Sequence, residues 1–352
     1  MKALRRLVAV AAVAALAIGL APPALAAPDD SVDIPDYGLQ ECIAHFLEVE
    51  PAPTYTEGQL ASLESLNCRD DYWGTVHDLS GLEHASNLTS LAIYGYDLAD
   101  VAPLRDLPLT ELTLATESLL DLAPLAGKDT LQSLSYSSTV TPPDVPVFPQ
   151  LTKLEWSYFP LSATSAANLP KLDHFIYWGS TETNGSLTLP SLPELNELEI
   201  HDVPMSVIAA ATLPKLTSLK FWPVSEVDDP TPLPLLPELT ELELHEVPMS
   251  AIADADLAKL TSLTYSDGLQ PIELSTLPPL PELTELTLTH VELANVPSLQ
   301  LPKLTSLTVA SGYGSPDISG VSSLPELTTL VLGAGLTTLP STLSLPKVTA
   351  LD

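Results

Sequence analysis

From Leu63 onward the chain repeats one strand-sized phrase, Leu-x-x-Leu-x-(Leu, Ile or aromatic), every 20 to 25 residues. Copies begin at Leu63, Leu88, Leu109, Leu131, Leu151, Leu172, Leu195, Leu216, Leu239, Leu260, Leu283, Leu304, Leu327 and Val348. One copy is too short to bury its own leucines. Each must stack on the next, which forces an elongated solenoid with a core running through every turn. Counted from the first Leu, positions 4 and 6 point inward, and positions 3, 5 and 7 point to the opposite face of the strand.

This period is the signature of a leucine-rich repeat. The expected fold is therefore α/β, a right-handed leucine-rich repeat solenoid with a parallel β-sheet on its concave face. Proline precedes many of the phrases (Pro170, Pro193, Pro214, Pro237, Pro281, Pro302, Pro325, Pro346) and favours an extended lead into a strand. The convex side should be mostly irregular or 3-10. Residues 1–26 read as a signal peptide, 27–62 as a helical N-terminal cap and 63–352 as the repeats.

Lys2, Arg5 and Arg6 form the charged start of the signal, Leu7 to Leu20 its apolar core, and Ala24-Leu25-Ala26 a small-residue cleavage site. A membrane anchor fits less well, because the apolar core is short for a span and ends in Pro22-Pro23. The expected location is secreted, extracellular or associated with the cell envelope, with no membrane insertion after cleavage. The chain carries 13 basic and 45 acidic residues, a net charge of −32. Cleavage removes three basic residues and no acidic one. A surface this acidic repels nucleic acid and anionic lipid, which are excluded as expected partners.

Leu39, Cys42, Ile43, Phe46 and Leu47 form one apolar stripe of a helix over Asp36 to Val49, with Asp36 as N-cap. Thr56-x-x-Gln59 is a capping box opening a second short helix. Cys68 takes position 6 of the first phrase and should point inward, while Cys42 lies on the helical stripe that must cover that end. A Cys42–Cys68 disulfide would lock the two together, contributing about 2–4 kcal/mol. The alternative is a pair of buried free thiols.

Ile34-Pro35-Asp36, Tyr55-Thr56-Glu57 and the run from Asp78 to Leu91 resemble the cap and early repeats of bacterial internalin-type proteins. Asp100-Val101-Ala102-Pro103-Leu104 and Asp121-Leu122-Ala123-Pro124-Leu125 are similar to that family's convex-side phrase. The resemblance covers about a quarter of the chain in its specific motifs and implies a concave sheet that binds protein or glycan on another surface. The chain departs from the family in having no Asn two residues after the strand; Glu117, Val203 and Val247 are among the residues there. The family's immunoglobulin-like domain and wall-anchoring sequence are not recognisable either.

In the later half a unit of two repeats, 44 residues long, is duplicated: Glu199-Ile200-His201-Asp202-Val203-Pro204-Met205-Ser206 recurs as Glu243-Leu244-His245-Glu246-Val247-Pro248-Met249-Ser250. The residue before each phrase alternates in sign from Lys171 and Glu194 through Lys303, Glu326 and Lys347. Stacked about 4.8 Å apart, these predict a zipper of opposite charges along one edge, serving register more than stability.

Position 7 places Trp178, His201, Trp222 and His245 on four successive strands of the concave face, ringed by Glu197, Glu199, Glu241 and Glu243. Exposed tryptophans are enriched in sugar platforms and protein hot spots. The competing expectation folds Trp178 and Trp222 against Pro223 or the loop edge. His201 and His245 lie two strands apart, roughly 9–10 Å, too wide for a compact shared zinc site without further movement; Glu–His pairs are the remaining, disfavoured route to a metal. No cofactor motif is present. Gly312-Tyr-Gly-Ser-Pro does not match a nucleophile elbow, and carboxylates on an open, solvated sheet lack anything to raise one pKa. The sequence thus points to an exported, non-enzymatic binding protein whose concave face recognises protein or glycan. A structural spacer of the cell envelope is the alternative reading, and a glycan hydrolase using the Glu cluster a remote one.

Overall fold

The computed structural model of the protein describes residues 30–69, 75–95, 97–98, 100–118, 120–138, 145–157, 161, 168–179, 188–224, 231–266, 277–289, 301–310, 324–333 and 347–351. The proposed signal segment and the Gly312 loop lie outside these.

Two short antiparallel strands, β1 (Ser31–Asp33) and β2 (Thr54–Thr56), bracket helix α1 (Tyr37–Leu47), and α2 (Glu57–Ala61) follows. Each repeat phrase then contributes a strand. They are β3 (Ser65–Cys68), β4 (Ser90–Tyr94), β5 (Glu111–Thr116), β6 (Ser133–Ser138), β7 (Lys153–Ser157), β8 (His174–Trp178) and β9 (Glu197–His201). After them come β10 (Ser218–Trp222), β11 (Glu241–His245), β12 (Ser262–Ser266), β13 (Glu285–Thr289), β14 (Ser306–Ala310), β15 (Thr329–Leu332) and β16 (Ala350–Leu351). Among the described residues, β3 to β16 form one 14-stranded sheet in strict chain order, parallel throughout. This is the leucine-rich repeat sheet that the phrase predicts.

The alternation of the phrase decides which way each side chain faces. In β9, Leu198 and Ile200 are buried, and in β10 Leu219 and Phe221 are. The same inward columns carry bulkier side chains in β6 to β8, where Tyr136, Trp156 and Tyr177 are fully buried and the Tyr136 and Trp156 rings meet edge to face. The core is one continuous cluster from Val32 to Leu330.

The convex side has 3-10 turns at Leu82–His84, Ala102–Leu104 and Ala123–Leu125, with a single short α-helix among the described residues there, α3 (Ser206–Ala209). The Asp-x-Ala-Pro-Leu phrases make two of these turns. Asp100 Oδ1 accepts from the Ala102 N–H and Asp121 Oδ1 from the Ala123 N–H, each at 2.8 Å, satisfying a donor that the turn leaves free. Lys128 closes the first of the two. Its buried ammonium donates to the carbonyls of Leu104, Arg105 and Leu107 at 3.1, 2.8 and 2.5 Å, and burial pulls its pKa below the usual lysine value.

At the start of the solenoid, Asp36 caps α1 through a 2.8 Å bond from Leu39 N–H. Its second oxygen accepts from His77 N–H at 2.8 Å, tying the helix to the next turn of chain. The Thr56–Gln59 capping box forms with both bonds in place, at 3.1 and 2.9 Å. Cys42 and Cys68 are joined in a disulfide, with 5.4 Å between their Cα atoms. It fastens α1 to β3, the terminal strand of the sheet.

Threonine at position 2 of the phrase builds a ladder just ahead of the sheet. The carbonyl of Thr89 accepts from the N–H groups of Thr110 and Glu111 and from the Thr110 hydroxyl at 3.1 Å. The same arrangement links Thr217, Thr240, Thr261, Thr284, Thr305 and Thr328 in succession. Hydroxyl rungs on the strand-leading side therefore tie turn to turn in a chain without the Asn ladder. At the Asn-equivalent positions Val203 and Val247 are instead buried in the core.

The expected charge zipper is corrected by the structure to a row of separate pairs. Lys215 bonds Glu194, Lys259 bonds Glu238, Lys303 bonds Glu282 and Lys347 bonds Glu326, at 2.5–2.8 Å and about half exposed. Each of these lysines reaches back across the 21-residue step, and among the described residues none of the pairs along this edge spans the 23-residue step. Lys171 donates to Gln150 Oε1 at 2.5 Å.

Candidate functional site on the concave face

Large and charged side chains are concentrated on β7 to β11. On β12 to β14 the outward positions hold Ser262, Thr264, Ser266, Thr287, Thr289, Ser306, Thr308 and Ala310, with Glu285 the one exception. The flank from β4 to β6 is similarly small-sided apart from Tyr94 and Glu111. A local change of chemistry on an otherwise uniform sheet marks β7 to β11 as the candidate site.

The four aromatic residues of that segment meet. Trp178 and His201 stack with ring centroids 3.7 Å apart and planes 7° from parallel. His201 and Trp222 follow at 4.2 Å and 8°, then Trp222 and His245 at 4.6 Å and 15°. Strand register brings them together, with Trp178 opposite His201 and His201 opposite Trp222. The indoles are stacked on the histidines. Trp222 also occupies the space between His201 and His245.

Stacking has a cost in accessible surface. His201 is only 8% exposed, whereas Trp178 at the end of the row is 37% exposed. Both faces of His201 and Trp222 are covered by neighbouring rings, so the row offers ring edges to the concave space. The one indole face left without a ring partner among the described residues is that of Trp178, on the side of β7.

Each histidine is oriented from its own strand. His201 Nε2 is 2.8 Å from Glu199 Oε1, and His245 Nε2 is 2.8 Å from Glu243 Oε1. A Glu-x-His spacing puts both side chains on one face of a strand, and this was the available sequence signal for the pairing. Glu243 also lies 4.0 Å from Lys220 Nζ, and Glu197 Oε2 lies 2.9 Å from His174 Nε2. Glu241 is exposed and makes no ion pair among the described residues. His174 and Lys220 thus join the eight residues singled out from the sequence. A shallow depression lined by Ser218, Lys220, Glu241, Glu243, Ser262 and Thr264 lies beside the row.

The backbone is shaped around this row. Gly179 donates its N–H to His201 O at 2.9 Å. A Cβ on Gly179 would sit 2.7 Å from Asp202 O and 2.7 Å from Val203 Cγ1, so the close approach of the two strand ends needs glycine. Asp202 and Glu246, which follow the two histidines, both have left-handed φ, 57° and 52°. Such strain in non-glycine residues concentrates at functional sites.

No protein-family model and no curated protein matches the chain. Among solved structures it is similar to an internalin, InlF, from Listeria monocytogenes strain 4b F2365. The identity is 20% over 91% of this chain and 96% of that one, with a TM-score of 0.47. Internalin C2 of the same strain shows 18% identity over 85% of this chain and 93% of its own, with a TM-score of 0.31. A TLR13–ssRNA13 complex shows 18% identity over 82% of this chain and 44% of that one, with a TM-score of 0.47.

Proposed function

We propose that the protein is an exported leucine-rich repeat binding protein that recognises a protein ligand on its concave face across β7 to β11. The observation that carries this reading is the Trp178–His201–Trp222–His245 row, set among Glu197, Glu199, Glu241 and Glu243 on a sheet whose flanks are small-sided. A sugar platform needs open ring faces, and the two central rings of the row, His201 and Trp222, have both faces covered. Protein therefore takes precedence over glycan as the ligand class. The acidic surface argues against nucleic acid.

The spacer reading has one observation in its favour: rings stacked on each other are also a way of holding strands in register. Binding to arrays of glycans and cell-surface proteins, measured beside a Trp178→Ala, Trp222→Ala variant, separates the two. A folded variant that loses binding places recognition on the row. A wild type that binds nothing on either array favours the spacer.

A further inference from the structure

The aromatic row ends abruptly at β7. Trp178 lies opposite Ser157 in register, and Ser157 is too small to reach over the indole. Among the described residues, no ring therefore continues the stack on that side, next to the indole face of Trp178 that has no ring partner. Glu155, two residues back on β7 and on the same face, is diagonal to Trp178 at roughly 7–8 Å between backbones, within reach of a long side chain. Among the described residues Glu155 forms no hydrogen bond or ion pair.

The chain itself shows what fits such a place. On β4, Tyr94 stands in the same outward column as Trp178, and Arg69 follows the last residue of the preceding strand, β3. The Arg69 guanidinium lies over the Tyr94 ring, 5.0 Å from its centroid. Relative to its ring, Arg69 occupies the position that Ser157 holds relative to Trp178. At the first place the arginine rung is built in; at the second no described side chain supplies it, and the Glu155 carboxylate stands next to it.

We infer that Trp178 and Glu155 form a subsite for an arginine side chain of a basic protein partner, the guanidinium completing the row as its next rung. This deepens, and rests on, the concave-face reading above. A guanidinium is planar, stacks on an aromatic face and forks onto a carboxylate in one geometry, whereas an ammonium does only the charge part. The net charge of −32 draws a basic segment to this surface and gives no preference between arginine and lysine. Arginine preference is therefore the signature of the subsite.

The test is titration of the purified protein with acetylated, amidated hexa-arginine and hexa-lysine peptides. The variants are Trp178→Ala, Glu155→Gln, Ser157→Arg and, as a charge control outside the sheet, Asp254→Asn. Hexa-arginine should bind the wild type and the control about tenfold more tightly than hexa-lysine. Trp178→Ala and Glu155→Gln should each cut that ratio to about twofold or less. Ser157→Arg fills the rung from within the chain and should abolish the preference with both subsite residues intact, which keeps the test informative if Trp178→Ala does not fold. Equal binding of the two peptides by the wild type, or a preference that survives Trp178→Ala and Ser157→Arg, overturns the inference. Array binding that depends on Trp178 without any arginine preference would sink the subsite and leave the concave-face reading standing.

Discussion

His201 lies flat against Trp178, 3.7 Å between ring centroids and 7° between planes, while its Nε2 is held 2.8 Å from Glu199. Position in the row should decide how much each ring stabilises the protein. Trp222 has a ring on both faces and Trp178 on one. Trp222→Ala should cost about 1–3 kcal/mol and Trp178→Ala about half as much, at about 0.5–1.5 kcal/mol per aromatic contact. Urea midpoints measure both; a Trp178→Ala loss equal to or larger than that of Trp222→Ala contradicts the stacking account.

Cys42 and Cys68 join α1 to β3 across 26 residues of chain. The Cys42→Ser, Cys68→Ser double variant should lose about 3 kcal/mol, from freedom restored to the unfolded chain. Reductant should lower the melting temperature of the wild type and leave that of the double variant unchanged.

Two kinds of lysine should behave oppositely. Lys259→Ala removes an ion pair about half exposed and should change stability by roughly 0.5 kcal/mol or less. Lys128→Met strips the donor from three backbone carbonyls and should cost about 2–4 kcal/mol. Chemical denaturation of the two variants side by side checks the contrast.

Burial pushes the phenols of Tyr136 and Tyr177 up to about 12 from the ordinary value of 10.0. In the unfolded chain they ionise near 10 while the folded state still holds their protons, so stability is complete below that pH and falls between about pH 10 and 12. Each phenol should contribute on the order of 2 kcal/mol to that fall. Denaturant midpoints measured from pH 9 to 12 should drop for the wild type and flatten in a Tyr136→Phe, Tyr177→Phe variant.

Much of this architecture was legible in the residues. The spacing of Leu195, Leu198 and Ile200 told both the strand and its inward face, because a phrase of period two has one way to be buried. Cys42 and Cys68 fall on facing stripes by their spacing alone. The site was legible only as a set of columns: Trp178, His201, Trp222 and His245 could be put on neighbouring strands, but rotamers decide whether rings expose faces or stack them. Lys215 and Glu238 alternate in sign as a continuous zipper would, yet which neighbour a lysine reaches depends on the offset between unequal repeats. The threonine ladder was present in the sequence at Thr217, Thr240 and Thr261, but its purpose emerges only when turns lie one above another and a hydroxyl meets the carbonyl below.

The measurement closest to the central claim is binding of the purified protein to glycan and cell-surface protein arrays, beside the Trp178→Ala, Trp222→Ala variant. The account predicts protein ligands that the wild type retains and the variant loses, with the variant still showing the far-ultraviolet circular dichroism of the folded sheet. Binding that persists undiminished in the folded variant would contradict it and move recognition off the aromatic row.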